Sequence, residues 1–173
     1  MNYKVQKLTI TALMAAVLCI IGPFMIPIGM VPMSLTNMVI YLAIILLEKK
    51  RATISVAIYL LIGFVGLPVF AGFTGGAGKL LGPTGGYLIG YLVLSFVAGT
   101  ILERKGNLKI VALSTGTLGL YMVGTIWLSV QSKLSFMTAL SVGVFPFVIF
   151  DFIKIGIAVV LGDSIKKRIG TVI

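Results

Sequence analysis

The sequence predicts an all-α integral membrane protein that forms one bundle of six transmembrane helices. Hydrophobic residues make up 59% of the 173-residue chain and charged residues only 10%, whereas soluble globular proteins carry about 25% charged residues. The basic residues fall in short clusters between apolar runs of helical length. Only helices satisfy their own backbone hydrogen bonds in lipid at these segment lengths.

Six segments are apolar enough to form the predicted spans. A helix rises 1.5 Å per residue, so crossing a bilayer core takes about 20 mainly apolar residues. Prolines at Pro23, Pro27 and Pro32 separate the first span from the second, because proline breaks a helix. The second and third spans flank Glu48-Lys-Lys-Arg51 and form an antiparallel hairpin. The predicted spans are 8–22, 33–47, 52–65, 84–102, 110–130 and 138–161.

The distribution of basic residues predicts the orientation in the membrane. Eleven of the 14 Lys and Arg residues lie on one predicted side, near the two ends and in the short loops after the second and fourth spans. Lys79 and Lys133 lie on the other side, and Lys154 lies within a span. Because cytoplasmic loops carry the excess of Lys and Arg, both termini are expected in the cytoplasm and the loop after the third span outside.

This outer loop is the Gly-rich stretch 66–87, in which 8 of 22 residues are Gly. Such a density of Gly predicts a shaped loop and not a helix, because Gly adopts conformations closed to other residues. Gly75-Gly-Ala-Gly-Lys79 is similar to a phosphate loop, but Phe73 and Leu80 occupy positions where a Walker A motif requires Gly and Ser or Thr. Any ATP must therefore be hydrolysed elsewhere.

The residue types exclude several other functions. With no His and with Cys19 as the single Cys, neither a disulfide nor a transition-metal site is expected. No basic face with interleaved aromatic residues is present for nucleic-acid binding. Ser residues lack a His partner, and one carboxylate alone falls within a span, so no catalytic residues, no cofactor and no enzyme activity are expected.

Asp151 and Lys154 are the only charged residues inside a predicted span. Three residues apart on a helix, they share a face, and ionisable residues in a membrane mark functional sites because their insertion is costly. The sequence predicts a polar ligand bound between spans, with Asp151 accepting ligand N–H groups and Lys154 donating to a carbonyl or carboxylate. The alternative is an ion pair that only joins helices.

Further candidates lie near the outer ends of the spans. Asn37 can both donate to and accept from a ligand, or form an interhelical hydrogen bond or a helix cap instead. Phe70, Phe73 and Tyr87 are candidates for the apolar wall of a pocket, with packing as the alternative for each. In the first span, Ala12-Leu-Met-Ala-Ala16 places small residues four apart, a pattern that lets another helix pack closely.

Four strings in the chain resemble, in order, the BioY family of biotin-specific substrate-binding (S) components of energy-coupling factor (ECF) transporters. Together they cover most of the chain, from about residue 26 to residue 157. The strings are Val31-Pro-Met-Ser-Leu35, Gly66-Leu-Pro-Val-Phe-Ala-Gly72, Gly82-Pro-Thr-Gly-Gly-Tyr-Leu88 and Pro146-Phe-x-x-x-Asp-x-x-Lys154.

The resemblance implies a six-helix S component in the cell membrane of a bacterium or archaeon, with biotin bound near the outer face and the loop after the third span closing over it. It implies Asp151 and Lys154 as part of the biotin site. A transmembrane T component, which would dock on Ala12 and Ala16, and two cytoplasmic ATPase subunits are the implied partners. An S component for another vitamin and a helical membrane scaffold remain alternatives.

The chemistry of biotin suits these candidates. The ureido ring offers two N–H donors and a carbonyl, which suit Asp151 and Asn37, while Lys154 suits the ureido carbonyl or the carboxylate. Lys79 is a further candidate for the carboxylate, with a solvated loop charge as the alternative. Gly85 belongs to the end of the loop that is expected to frame the pocket. Phe150 departs from the family, which usually has Gly before the Asp.

Overall fold

A computed structural model of the chain describes residues 3–27 and 31–169, which form eight helices and one two-stranded hairpin. The predicted cytoplasmic termini include residues 1–2 and 170–173, which lie outside this range. The elements are α1 (Tyr3–Ile21), β1 (Met25–Ile26), β2 (Met33–Ser34), α2 (Thr36–Leu46), α3 (Lys49–Phe64), α4 (Ala77–Leu81), α5 (Gly85–Arg104), α6 (Lys109–Ser132), α7 (Phe136–Gly143) and α8 (Phe145–Ile169).

Three of these helices are long and apolar enough to cross a membrane by themselves: Gly85–Arg104, Lys109–Ser132 and Phe145–Arg168. Two further apolar helices, Val5–Ile21 and Thr36–Leu46, are shorter. The predicted membrane-embedded, mainly helical fold is confirmed. Lipid-facing surfaces explain the many large apolar side chains that stay exposed along α1, α6 and α8.

The pair α5 and α6 forms the most extensive helix contact in the described structure. Glycines on both helices make this close approach possible. A Cβ at Gly90 would lie 2.7 Å from the Leu120 side chain, and a Cβ at Gly116 would lie 2.8 Å from the Leu94 carbonyl oxygen. Small residues let helix backbones approach closely in membranes, where van der Waals contact drives association.

The second predicted span does not begin as a helix at residue 33. Met33 and Ser34 form β2, which pairs with β1 in antiparallel register (Met25 with Ser34, Ile26 with Met33). The Ser34 hydroxyl accepts a hydrogen bond from the Thr36 backbone N–H at 3.0 Å, and this turn delays the start of α2 until Thr36. Ser side chains commonly redirect the backbone in this way.

The last predicted span, 138–161, is not one continuous helix. The chain breaks at Val144 between α7 and α8, and α8 continues to Ile169. Pro146 explains the break, because it has no N–H to donate and its ring clashes with a preceding helical turn. In the first turn of α8 the missing N–H needs no partner, so proline is tolerated there.

The Gly-rich stretch is not entirely loop, because it contains the short helix α4. Gly76, with φ of 90°, precedes this helix in a conformation that favours Gly. The Gly76 N–H donates to the Gly63 carbonyl at 2.7 Å. Trp127 and Gln131 of α6 donate to the carbonyls of Gly82 and Leu81, both at 2.9 Å. We call residues 66–84 the lid.

Ion pairs connect the helix ends opposite the lid. Glu48 lies 3.1 Å from Lys7 of α1 and 2.8 Å from Arg51 of α3. Its pKa is lowered, first by the hydrogen bond from Lys7 and then by Arg51. Two further pairs, Lys49 with Glu103 and Lys109 with Asp163, connect α3 to α5 and α6 to α8.

Candidate binding site

A partly open cavity lies beneath the lid, between the helices. Its empty space, which includes open solvent at the mouth, is about 660 Å³. Residues of β2, α2, α3, the lid, α5, α6 and α8 line it. They include Ser34, Asn37, Tyr59, Phe70, Lys79, Tyr87, Tyr91, Tyr121, Asp151 and Lys154.

Asp151 lies on α8 at the wall of this cavity, and only 3% of its surface is exposed. Three side chains donate hydrogen bonds to its carboxylate. The Tyr121 hydroxyl donates to Oδ2 at 2.6 Å, the Asn37 amide lies 3.2 and 3.3 Å from the two oxygens, and Lys154 Nζ lies 3.0 Å from Oδ1. These donors replace water around a buried charge, which would otherwise be costly.

Lys154 joins α8 to the hairpin as well as to Asp151. Its Nζ donates to the Ser34 carbonyl oxygen at 2.9 Å, and the residue is 8% exposed. One turn of α8 separates the two charges, which lie on one face of the helix as the sequence predicts and form an ion pair. The neighbouring hydroxyls of Ser34 and Thr36 are hydrogen-bonded to each other. Together with Asp151 and Lys154 they form one continuous group of polar side chains at the cavity wall.

Aromatic rings form much of the remaining wall. Phe70 of the lid is fully buried and packs edge-on against Tyr59, with ring centroids 5.5 Å apart. The Tyr87 ring occupies a slot where a Cβ at Gly124 or Gly143 would collide with it. Within the described residues the Tyr87 hydroxyl has no hydrogen-bond partner. An apolar ligand body would therefore contact rigidly packed rings.

The structure brings most of the predicted site residues to one cavity, and two of them lie elsewhere. Phe73 does not line it; the side chain is 62% exposed and packs against Phe24 with ring centroids 5.6 Å apart. The φ of 55° at Phe73 turns the chain there. Gly85 starts α5 and also lies off the wall, because its Cα faces the Leu80 backbone. The predicted residues at the wall are Asn37, Phe70, Lys79, Tyr87, Asp151 and Lys154.

Sequence reasoning missed Tyr121, which makes the shortest hydrogen bond to Asp151. The residue lies within an apolar run of α6, and its one polar atom gives little periodic signal. A phenol inside a membrane span usually has a hydrogen-bond partner. The position of Tyr121 within an apolar span was therefore the available indication that it contacts a polar group. Asn37 lines the cavity and also donates a hydrogen bond from α2 to Asp151 on α8. Both alternatives considered for Asn37, a polar residue of the site and an interhelical hydrogen bond, therefore apply together.

Other predicted features lie outside the cavity. Ala12 and Ala16 are exposed on α1, whereas their helix neighbours Ala15 and Leu18 are buried. Phe150 is 43% exposed on α8 and does not line the cavity. Among the residues that the structure describes, no three His, Cys, Asp or Glu side chains are grouped to hold a metal ion.

Comparison with known proteins identifies the family. The profile of the BioY family matches residues 1–171. This chain belongs to the BioY family. It is 34% identical to biotin transporter BioY2 of Lactococcus lactis subsp. cremoris over 171 residues, which is 97% of this chain and 94% of the relative. It is 41% identical to biotin transporter BioY of Thermotoga maritima over 154 residues, which is 87% of this chain and 90% of the relative.

A solved structure of the same kind agrees with the fold. The crystal structure of an S-component for biotin from an ECF-type ABC transporter aligns with a TM-score of 0.89 and 37% identity. The alignment covers 96% of this chain and 93% of that chain. The BioY-family chain is thus an integral membrane protein of the cell membrane with the S-component fold.

Proposed function

We propose that this protein is the biotin-binding S component of an ECF-type vitamin uptake transporter. The observation that carries the proposal is the buried Asp151 carboxylate at the wall of a partly open, largely aromatic cavity. A carboxylate offers about four acceptor positions. The long bifurcated contact from Asn37, at 3.2 and 3.3 Å, touches both oxygens, and it is the contact that a ligand N–H would replace. The names of the matching relatives support biotin as that ligand.

In this proposal each part of biotin meets complementary groups. The ureido N–H groups donate to Asp151, and Asn37 and Lys154 donate to the ureido carbonyl. Phe70 and Tyr87 contact the thiophane ring and the valeryl chain. The S component binds biotin and carries out no reaction on it.

The topology that we propose has six crossings, with both termini in the cytoplasm and the lid outside. Helix α2 has 11 residues, which span roughly 16 Å, so the hairpin β1–β2 would complete that crossing. Helices α4 and α7 are too short to cross. The basic clusters opposite the lid support this orientation.

ATP-hydrolysing partners supply the energy in this proposal. The chain has no Walker A motif of its own, so in this proposal two ATPase subunits hydrolyse ATP and a T component connects them to the S component. The exposed stripe of Ala12 and Ala16 on α1 is the proposed docking surface for the T component. Small residues at helix interfaces allow such close packing.

Equilibrium binding of labelled biotin to the purified protein tests the ligand. The wild type should bind biotin, and Asp151→Asn and Lys154→Ala should each weaken binding at least about tenfold, since each removes a charge-assisted hydrogen bond. Full binding by the variant that carries both substitutions would reject the site. If native mass spectrometry of the purified protein finds a different bound vitamin, the alternative S component would be correct.

Thermal unfolding with and without vitamins separates the transport proposal from a structural role. A ligand that binds only the folded state raises the melting temperature. Biotin is expected to raise it for the wild type and not for the double variant. If no vitamin raises the melting temperature and neutralising both charges together leaves stability intact, as replacing a whole buried ion pair often does, the scaffold alternative is supported.

A further inference from the structure

Lys79 on the lid is a cation that no acidic residue of the chain neutralises. The side chain lines the cavity and is partly buried. The sequence contains four Asp and Glu residues in total, and each lies in an ion pair with another basic residue. The pairs are Glu48 with Lys7 and Arg51, Glu103 with Lys49, Asp151 with Lys154, and Asp163 with Lys109.

Lys154 is already engaged by groups of the protein. Its Nζ donates to Asp151 and to the Ser34 carbonyl oxygen, so its charge is balanced and two of its three N–H groups are used. Lys79 and Lys154 are the two basic residues at the described cavity wall. A second negative charge that entered this cavity would therefore be neutralised only by Lys79.

The lid helix α4 is held in place by few interactions. None of its five residues is fully buried, and Leu80 is the one that packs against the hydrophobic core, so little apolar area stabilises the position of α4. The side-chain hydrogen bonds from Trp127 and Gln131 reach the carbonyls at its C-terminal end. Segments with few buried contacts have low local stability, and one added ion pair would change the position of α4 measurably.

We propose that Lys79 binds the ligand carboxylate and that this ion pair holds α4 over the cavity. The protein thereby selects biotin with a free carboxylate over its neutral amide conjugates. A charge pair in a partly water-excluded cavity is stronger than the same pair in solvent, which gives Lys79 a role that a solvated loop lysine lacks. The inference rests on the proposed function, because it takes biotin as the ligand.

The test compares biotin with biotinamide, in which a neutral amide replaces the carboxylate. Dissociation constants are measured for the wild type, for Lys79→Gln and Lys79→Arg, and for the control Lys133→Gln. Lys133 is exposed at the same end of the molecule and does not line the cavity. The variants are first checked for unchanged thermal unfolding without ligand.

The wild type and the control are expected to bind biotin at least about tenfold more tightly than biotinamide. Lys79→Gln should bind both ligands with the affinity of biotinamide, and Lys79→Arg should keep a preference for biotin. An unchanged preference in Lys79→Gln, or equal wild-type affinities, would overturn the role of Lys79 and leave biotin binding intact. If the wild type binds neither ligand, the proposed function fails and this inference fails with it.

Trp127 provides a direct measure of the lid. It is the single Trp of the chain, and its indole N–H donates to the Gly82 carbonyl at the end of α4. In the wild type, saturating biotin should change the fluorescence of Trp127 more than saturating biotinamide does. In Lys79→Gln, the two ligands should change it by the same amount. Equal changes for the two ligands in the wild type would overturn the coupling between the carboxylate and the lid.

Discussion

Asp151 shows how a buried charge is stabilised by donors from different helices. Tyr121 comes from α6, Asn37 from α2 and Lys154 from α8 itself. Because the carboxylate is removed from bulk water, each donor substitutes for a water molecule. Removing one donor leaves an acceptor less well satisfied, and this costs more than the hydrogen bond itself contributes.

Tyr121→Phe should lower both stability and affinity. The substitution keeps the ring and removes the hydroxyl that donates to Asp151 at 2.6 Å. We expect a loss of about 1–3 kcal/mol in the free energy of unfolding. Biotin binding should also weaken, because the Asp151 carboxylate loses the hydroxyl group that orients it. Unfolding in detergent and binding of labelled biotin measure the two effects.

Tyr87→Phe is the matched control for this substitution. Both tyrosines line the cavity and are 9% exposed, but the Tyr87 hydroxyl has no partner among the described residues. Its removal should leave the stability of the ligand-free protein unchanged or slightly higher. Equal losses in the two variants would contradict the assigned role of the Tyr121 hydrogen bond.

At the scale of elements, glycine positions decide how closely the helices pack. Gly124→Ala should destabilise the protein by about 1–3 kcal/mol, because its Cβ would collide with the Tyr87 ring. Gly156→Ala is the control: it lies on the exposed face of α8, with nothing within 4 Å of the added Cβ. Ala favours a helix over Gly, so this variant should be about 0.5–1 kcal/mol more stable. Thermal unfolding of both variants checks the prediction.

The ion pairs opposite the lid predict an acid-dependent loss of stability. The hydrogen bond from Lys7 lowers the pKa of Glu48 from its ordinary value of 4.5. Glu48 therefore contributes stability above pH 4.5, and this contribution disappears as the pH falls from 4.5 through the lowered pKa. The side chain is 55% exposed, so solvent screening limits the contribution to about 1 kcal/mol or less.

Glu48→Gln should reduce the dependence of the free energy of unfolding on pH below pH 4.5. Unfolding followed from neutral pH to below pH 4.5 measures the difference between the variant and the wild type. High salt should reduce the difference, because the Debye length falls to about 3 Å at 1 M. If the stability of both proteins falls identically as the pH is lowered, the ion pair between Glu48 and Lys7 does not contribute to stability.

At the scale of the whole molecule, the proposed docking of a T component on Ala12 and Ala16 predicts that substitutions on α1 affect assembly without affecting ligand binding. Ala12→Trp should prevent co-purification of the T component, because a bulky ring replaces the smooth surface that a partner helix needs. Biotin binding should be unchanged, since Ala12 lies away from the cavity lining. Leu118→Trp, on the lipid-facing surface of α6 and 62% exposed before substitution, is the control. Loss of the T component in both variants would argue against a specific surface.

Several features of the fold and the site were accessible from the sequence. Hydropathy and the basic clusters predicted a helical membrane protein, because a bilayer imposes its requirements on each segment separately. The i,i+3 spacing of Asp151 and Lys154 predicted that they lie on one face of a helix, because one helix turn separates them. The break at Val144 was missed, although Pro146 was visible, because an apolar run of suitable length outweighed it.

The sequence by itself determined the membrane fold class and the polar pair on α8, since both follow from local composition and helix geometry. Only the tertiary structure decided that Asn37 and Tyr121, which lie 114 and 30 residues from Asp151, donate to the same carboxylate. It also decided that Lys79 lines the cavity while Phe73 points away from it. These contacts depend on how helices and lid pack against one another, and periodicity within one segment carries no information about that packing.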